Sequence, residues 1–212
     1  MSDSGTRILW GVGTSRTMRA HWMLHELELP YEQRRITSRS GETRTPEYTA
    51  LNPSRKIPAL QDGDLVLAES AAIVNYLGTA YGAAKNLCPP TDAKTRARYD
   101  EWGFFTMMEL DANTLYVIRK HEDLHEIYGE APNALTAARK GFARQARAAE
   151  QRLGNGPYAL GEQFSGADIL LTTCLNGAIR RKIELSDALH EYLKRITARA
   201  AYQRALQVNQ RG

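Results

Sequence analysis

The sequence predicts a two-part chain, α/β in residues 1–82 and all-helical in residues 92–212, joined by a linker over 83–91. Three observations carry this. An Asp62-Gly63 pair sits between the short apolar runs Pro58 to Leu60 and Leu65 to Ala68, a strong hairpin signal. The run GAAKNLCPPT at 82–91 is rich in helix breakers and small residues, as a linker is. Beyond it apolar residues recur at intervals of three or four, the period of a helix buried on one side.

The first part builds in order. Arg7 to Val12 is a short apolar run ending in Gly13 and predicts a strand. Met18, Trp22 and Leu27 follow at helical spacing as far as Leu29-Pro30. Tyr31 to Ile36 is a polar-rich strand, Thr37 to Arg44 a loop, and Thr45-Pro46 places an N-cap before a proline at the first helical position. With the hairpin and the apolar run Ala71 to Leu77 after it, the order is βαβαββα, ending near Tyr81-Gly82.

In the second part Tyr99, Trp102, Phe105, Leu115 and Ile118 lie in a pattern too long for a strand. Leu135, Ala138, Phe142, Ala149 and Leu153 then mark a helix that Gly154 stops. Ser165 and Asp168 stand as a capping box, with Asp in place of the usual Glu, before a segment (Ala167 to Gly177) apolar on nearly every face. Such a helix belongs at the centre of a bundle, and the role of its box is folding.

Bulk properties narrow the function classes. The chain has 212 residues, 42% of them hydrophobic, and a net charge of +4, with a pI near 9.1. That charge raises nucleic acid or an anionic membrane surface as partners. The basic residues, among them Arg34, Arg35, Arg39, Arg44, Arg139, Lys140, Arg144 and Arg147, are scattered without interleaved aromatics, so solvated helix faces explain them and neither partner is expected. Cys88 and Cys174 lie far apart, and no metal-ligand spacing joins them to the histidines, so neither a disulfide nor a metal site is expected. The start MSDSGTRILW lacks the features of a secretory leader, and no apolar stretch approaches the roughly 20 residues that span a bilayer. The expectation is a cytoplasmic protein.

The stretch LNPSRKIPALQDGDLVLAESAAIVNYL, 51 to 77, holds the site chemistry. Glu69 and Ser70 precede a helix whose first N–H groups lack partners and favour a carboxylate. At Ile57-Pro58 a cis peptide would turn the main chain of Ile57 outward as a strand edge for a peptide ligand. Together these describe a site for a small peptide.

This string resembles the N-terminal, thioredoxin-like half of the cytosolic glutathione transferases. Their pattern N-P-x-x-K-[VI]-P-x-L, then D-G, then E-S-x-A-I-x-x-Y-L is met by Asn52, Pro53, Lys56, Ile57, Pro58, Leu60, Asp62, Gly63, Glu69, Ser70, Ala72, Ile73, Tyr76 and Leu77. The capping box at Ser165 is a second, independent match. The resemblance implies a thioredoxin-like N-terminal domain followed by an all-helical C-terminal bundle, with glutathione as co-substrate, no metal, and a homodimer. It also implies a transferase of alkyl or aryl groups, acting in detoxification on a small-molecule electrophile.

Carried over residue by residue, the resemblance puts the γ-glutamyl carboxylate on Ser70, the ammonium on Glu69, the cysteinyl main chain on Ile57 and the glycyl carboxylate on Lys56. Each has a plain structural alternative: helix cap, first-turn acid, loop charge or strand-edge residue. The loop GVGTSRTMRAHW has no tyrosine or cysteine to face the thiol. Aligning Arg19-Ala20 with the same pair in the serine-type, theta-like members makes Ser15 the catalytic hydroxyl, with Thr14 its rival and a simple N-cap its alternative. The apolar second substrate falls to Phe104, Met108, Asp111 and Leu115, one helical stripe that could equally be bundle core. Conjugation, peroxide reduction, dehalogenation and ether cleavage share such a scaffold. The competing readings are a non-catalytic binding or scaffold relative, and a glutathione-dependent peroxidase or thiol oxidoreductase.

Overall fold

The structure, a computed structural model, describes residues 7–210. Met1 to Thr6, on which part of the expectation about a leader rests, lie outside the described residues. By proximity of Cα atoms the chain divides into two units, one of Met1–Pro89 with Ala198–Gly212, the other of Pro90–Thr197. The sequence places the final helix with the second part, whereas its neighbours in space belong to the first unit.

The first unit is a four-stranded mixed sheet with helices. Its elements are β1 (Ile8–Val12), α1 (Ser15–Glu26), β2 (Glu32–Thr37), α2 (Pro46–Leu51), β3 (Ala59–Asp62), β4 (Leu65–Ala68) and α3 (Ser70–Tyr81), with the last helix of the chain, Ala200–Val208, added at the end. The spatial order is β2-β1-β3-β4. β1 runs parallel to β2 and antiparallel to β3, and β3 pairs antiparallel with β4. The hairpin turn consists of Gly63 and Asp64, with Gly63 first at φ +62°, the backbone a II′-type turn demands of glycine. Strand alternation divides the core. Leu9 and Leu60 are fully buried, as are Trp22 and Leu24 of α1 and Ile73 and Leu77 of α3. Trp10 points the other way and packs with Tyr48, Leu51, Ile57, Ala59 and Ile36. Thr45 caps α2 through its hydroxyl, and Pro46 occupies the first turn, as the sequence predicts.

The second unit is helical: α4 (Ala93–Phe105), a π-helical run Thr106–Leu115, α5 (Tyr116–Ile118), a second π run Arg119–Asp123, α6 (His125–Tyr128), α7 (Pro132–Leu153), α8 (Gly166–Arg180) and α9 (Asp187–Thr197). The remaining helix, Ala200–Val208 of the first unit, is α10. α8 is the buried centre, with Ile169, Leu171, Cys174 and Leu175 fully enclosed. Its capping box forms as expected, the Asp168 carboxylate accepting the Ser165 N–H at 2.9 Å. The same carboxylate accepts the Ala159 N–H at 2.7 Å and the Tyr192 hydroxyl at 2.9 Å, so it also ties the preceding loop and α9 to the bundle core. Among the described residues no helix is long and apolar enough to cross a membrane.

Candidate functional site

In the first unit three loops converge at one end of the sheet. Trp10 pairs with Ala59 and Ala59 with Ala68, which sets the end of β1, the start of β3 and the end of β4 side by side. The loop carrying Ser15, the Ile57-Pro58 entry to β3 and the Glu69-Ser70 exit from β4 are therefore neighbours.

The start of α1 separates the roles of Thr14 and Ser15. Thr14 is the N-cap, its hydroxyl accepting the Thr17 N–H at 3.0 Å while its own N–H donates to the Thr17 hydroxyl at 3.0 Å. The cap function thus belongs to Thr14. Ser15, half-buried, is the first residue of the helix, where unpaired N–H groups and the helix dipole favour an anion.

The strand edge is held from behind. The peptide Ile57-Pro58 is cis. The Lys56 carbonyl accepts the Tyr48 hydroxyl at 2.6 Å and the Asn52 side-chain amide at 2.8 Å, while Asn52 Oδ1 accepts the Ser54 N–H at 3.1 Å. Burial pushes the Tyr48 hydroxyl up to about 12, so it stays protonated and donating. Gly11 of β1 is needed here. It has φ +112°, and a Cβ on it would lie 2.6 Å from the Ile57 Cβ. The Lys56 side chain extends into solvent.

At the start of α3 the N-cap Glu69 has φ +66° and ψ 111°, a backbone that non-glycine residues rarely adopt, and makes no side-chain capping bond. Its side chain is exposed. Ser70 is buried, and its hydroxyl accepts a hydrogen bond from the buried Arg19 guanidinium at 3.1 Å. α1 thus supplies a cation behind the helix start expected to hold a carboxylate.

Ser15, Ile57, Glu69 and Ser70 are brought together, with Lys56 beside them. The four residues assigned to the second substrate are not on one face. Phe104 and Met108 are 72% and 52% exposed, whereas Asp111 and Leu115 are buried at 8% each. The cause is the π-helical run, in which the Tyr116 N–H bonds back five residues to the Asp111 carbonyl. These wider turns break the three-and-four spacing on which the stripe depends.

Sequence reasoning missed Arg19 as a contact of Ser70, Gly11 as the close neighbour of Ile57, and Tyr48 with Asn52 as the clamp on Lys56. A charged residue between Met18 and Trp22 on an otherwise apolar helix face was the available signal for Arg19. Asp62 is more than a turn residue. Its carboxylate accepts the hydroxyls of Tyr76 at 3.1 Å and Tyr81 at 2.6 Å and faces Arg7 Nε at 3.4 Å, fixing the hairpin to α3. Among the described residues no group of three or more His, Cys, Asp or Glu side chains could hold a metal ion. Both cysteines are free, Cys88 exposed and Cys174 buried inside α8.

Comparison with known proteins agrees with this geometry. The family described as "Glutathione S-transferase, N-terminal domain" matches residues 6–79, and "Glutathione S-transferase, C-terminal domain" matches 132–204. The mouse protein glutathione S-transferase theta-3 is 46% identical over 74 residues, 35% of this chain and 30% of its own length. Glutathione S-transferase 2 of Anopheles gambiae is 35% identical over 150 residues, 67% of this chain and 68% of its own. Among solved structures, a theta class glutathione S-transferase from Xanthomonas axonopodis pv. citri with glutathione bound superposes with a TM-score of 0.80 at 28% identity, over 97% of this chain and 99% of its own.

Proposed function

Because this chain belongs to the glutathione S-transferase family, we propose that it binds glutathione and activates the thiol for attack on an apolar electrophile. The observation that carries this reading is the convergence of a helix-start hydroxyl, a cis Ile57-Pro58 strand edge and an uncapped helix N-terminus at one end of the sheet. A γ-glutamyl tripeptide has matching groups. Its γ-glutamyl carboxylate goes to Ser70 and the first N–H groups of α3, with Arg19 behind. Glu69 takes the ammonium, the main chain of Ile57 pairs with the cysteinyl residue, and Lys56 meets the glycyl carboxylate.

A free thiol is only a few per cent ionised at neutral pH, so the chemistry needs a site that stabilises thiolate. The Ser15 hydroxyl donates to the sulfur, and the start of α1 adds the positive end of the helix dipole. The thiol proton leaves to water, and the thiolate attacks the electrophile. Thr14 is committed to its cap and supports Ser15 rather than replacing it. The exposed Phe104 and Met108 are assigned to the apolar second substrate, with Asp111 and Leu115 behind them as bundle packing. By analogy with the family the protein is a cytoplasmic homodimer acting in detoxification.

Calorimetric titration of glutathione in two buffers of different ionisation enthalpy tests the reading. Binding with proton release at neutral pH is expected. Absence of binding at millimolar ligand overturns it, and binding without proton release makes the chain a non-catalytic binder.

A further inference from the structure

We propose that Asn209, just beyond α10, is a positioning residue that holds the loop presenting Ser15 in its thiol-facing conformation. The proposal rests on the glutathione-activating reading above. All the side-chain bonds of Asn209 go to residues flanking Ser15. Its Oδ1 accepts the Thr17 hydroxyl at 2.7 Å and the Gly13 N–H at 3.2 Å, and its Nδ2 donates to the Thr14 carbonyl at 3.1 Å. A main-chain N–H on one side and a carbonyl on the other leave the amide a single satisfying orientation. The Asn209 carbonyl also accepts the Gly13 N–H at 2.9 Å. The loop is thus gripped on both sides of Ser15, at Gly13 and Thr14 before it and at Thr17 after it.

Docking of α10 does not depend on this side chain. At the other end of the helix Arg199 makes a two-pronged ion pair with Glu26 at 2.7 and 2.8 Å, and Tyr202 packs edge-on against Trp22 with ring centres 4.9 Å apart. Near Asn209, Gln33 and Arg35 of β2 donate to the Val208 carbonyl at 2.8 and 3.1 Å. With α10 held by these contacts, the Asn209 amide is left to define where the start of α1 sits. A donor helps a thiolate only when it points at the sulfur, so a loosened loop costs thiol activation before it costs binding of the rest of the peptide.

The test compares the unaltered protein with Asn209→Ala and with Gln33→Leu, which removes a docking contact of α10 away from the loop. Two quantities are read: the apparent pKa of bound glutathione, from thiolate absorbance against pH, and the affinity for S-methylglutathione, which has no thiol to ionise. Asn209→Ala is expected to raise the bound thiol pKa by about one unit, a roughly ten-fold loss of thiolate at a pH below it, with S-methylglutathione affinity changed less than about two-fold. Gln33→Leu is expected to change neither. An unchanged thiol pKa in Asn209→Ala overturns the proposal and leaves the glutathione reading intact. So does an equal pKa shift in Gln33→Leu, or a loss of S-methylglutathione affinity in Asn209→Ala matching its loss of thiolate, since either makes the residue a general support of the fold. If the unaltered protein neither binds S-methylglutathione nor lowers the thiol pKa, the underlying reading fails.

Discussion

The Arg19 guanidinium donates to the Ser70 hydroxyl across 3.1 Å, joining α1 to the first residue of α3, with both residues almost wholly removed from solvent. One contact therefore serves packing and the anion site together. Ser70 has two jobs, as an acceptor for a buried cation and as the first residue of a helix whose N–H groups face the site.

From this pairing Ser70→Ala is expected to destabilise the ligand-free protein, because a buried charged donor loses one acceptor. The cost of such a loss is about 1–3 kcal/mol, or a fall in melting temperature of roughly 2–10 °C for a chain of this size. Thermal unfolding without glutathione measures it. An unchanged melting temperature would show that the other contacts of Arg19 satisfy its charge and that Ser70 serves the ligand alone.

Thr14 and Ser15 are adjacent, but their expected mutational signatures differ. Ser15→Ala removes one charge-assisted hydrogen bond to the thiolate, about 1.5–3 kcal/mol, and is expected to slow turnover roughly ten- to hundred-fold with little change in stability. Thr14→Ala removes the N-cap of α1 and is expected to cost about 0.5–2 kcal/mol of stability. Paired rate and unfolding measurements on the two variants separate the roles, and the reverse pattern would make Thr14 the thiol contact.

Glu69 holds φ +66° without the freedom of glycine. Such a backbone stores on the order of 1–3 kcal/mol, part of which Glu69→Gly releases while its more flexible unfolded chain takes some back. The expected result is a melting temperature equal to or above the parent's, together with weaker binding of glutathione. Deaminated glutathione, which lacks the ammonium, should bind parent and variant about equally. A variant that loses affinity for both ligands would show that the backbone, not the carboxylate, is what the site uses.

His21 gives the fold a pH dependence. Burial lowers its pKa from 6.5 to about 4, and its Nε2 donates to the Gly11 carbonyl at 3.1 Å while Nδ1 accepts the Tyr31 hydroxyl at 2.8 Å. The folded state prefers the neutral ring and the unfolded chain binds the proton more readily. Stability is therefore full above pH 6.5 and is lost progressively as pH falls from there to about 4. The total is roughly 3 kcal/mol. His21→Gln is expected to flatten that acid limb in unfolding measured across the window. Because Gly11 adjoins Ile57, the same acid range should also loosen the strand edge.

Much of this was legible in the chain itself. The Asp62-Gly63 hairpin, the Thr45-Pro46 cap and the Ser165-Asp168 box are local devices, whose hydrogen bonds close within a few residues, so spacing alone reveals them. Glu69 and Ser70 were legible for the same reason, since a helix start is a local event. The stripe Phe104, Met108, Asp111 and Leu115 was not, because it assumes an α-helical period and the π-helical run changes how many residues complete a turn.

The sequence by itself determined the element order, the two-part division near residue 90 and the residue types that could meet a γ-glutamyl tripeptide, all consequences of short-range periodicity and turn chemistry. Only the tertiary structure decided which side chains back that site. Arg19 reaches Ser70 across 51 positions, and Asn209 reaches Thr17 across 192. A hydrogen bond depends on distance in space, which spacing along the chain does not encode. The association of α10 with α1 was decided in the same way, by the Arg199–Glu26 pair and the edge-on packing of Tyr202 against Trp22.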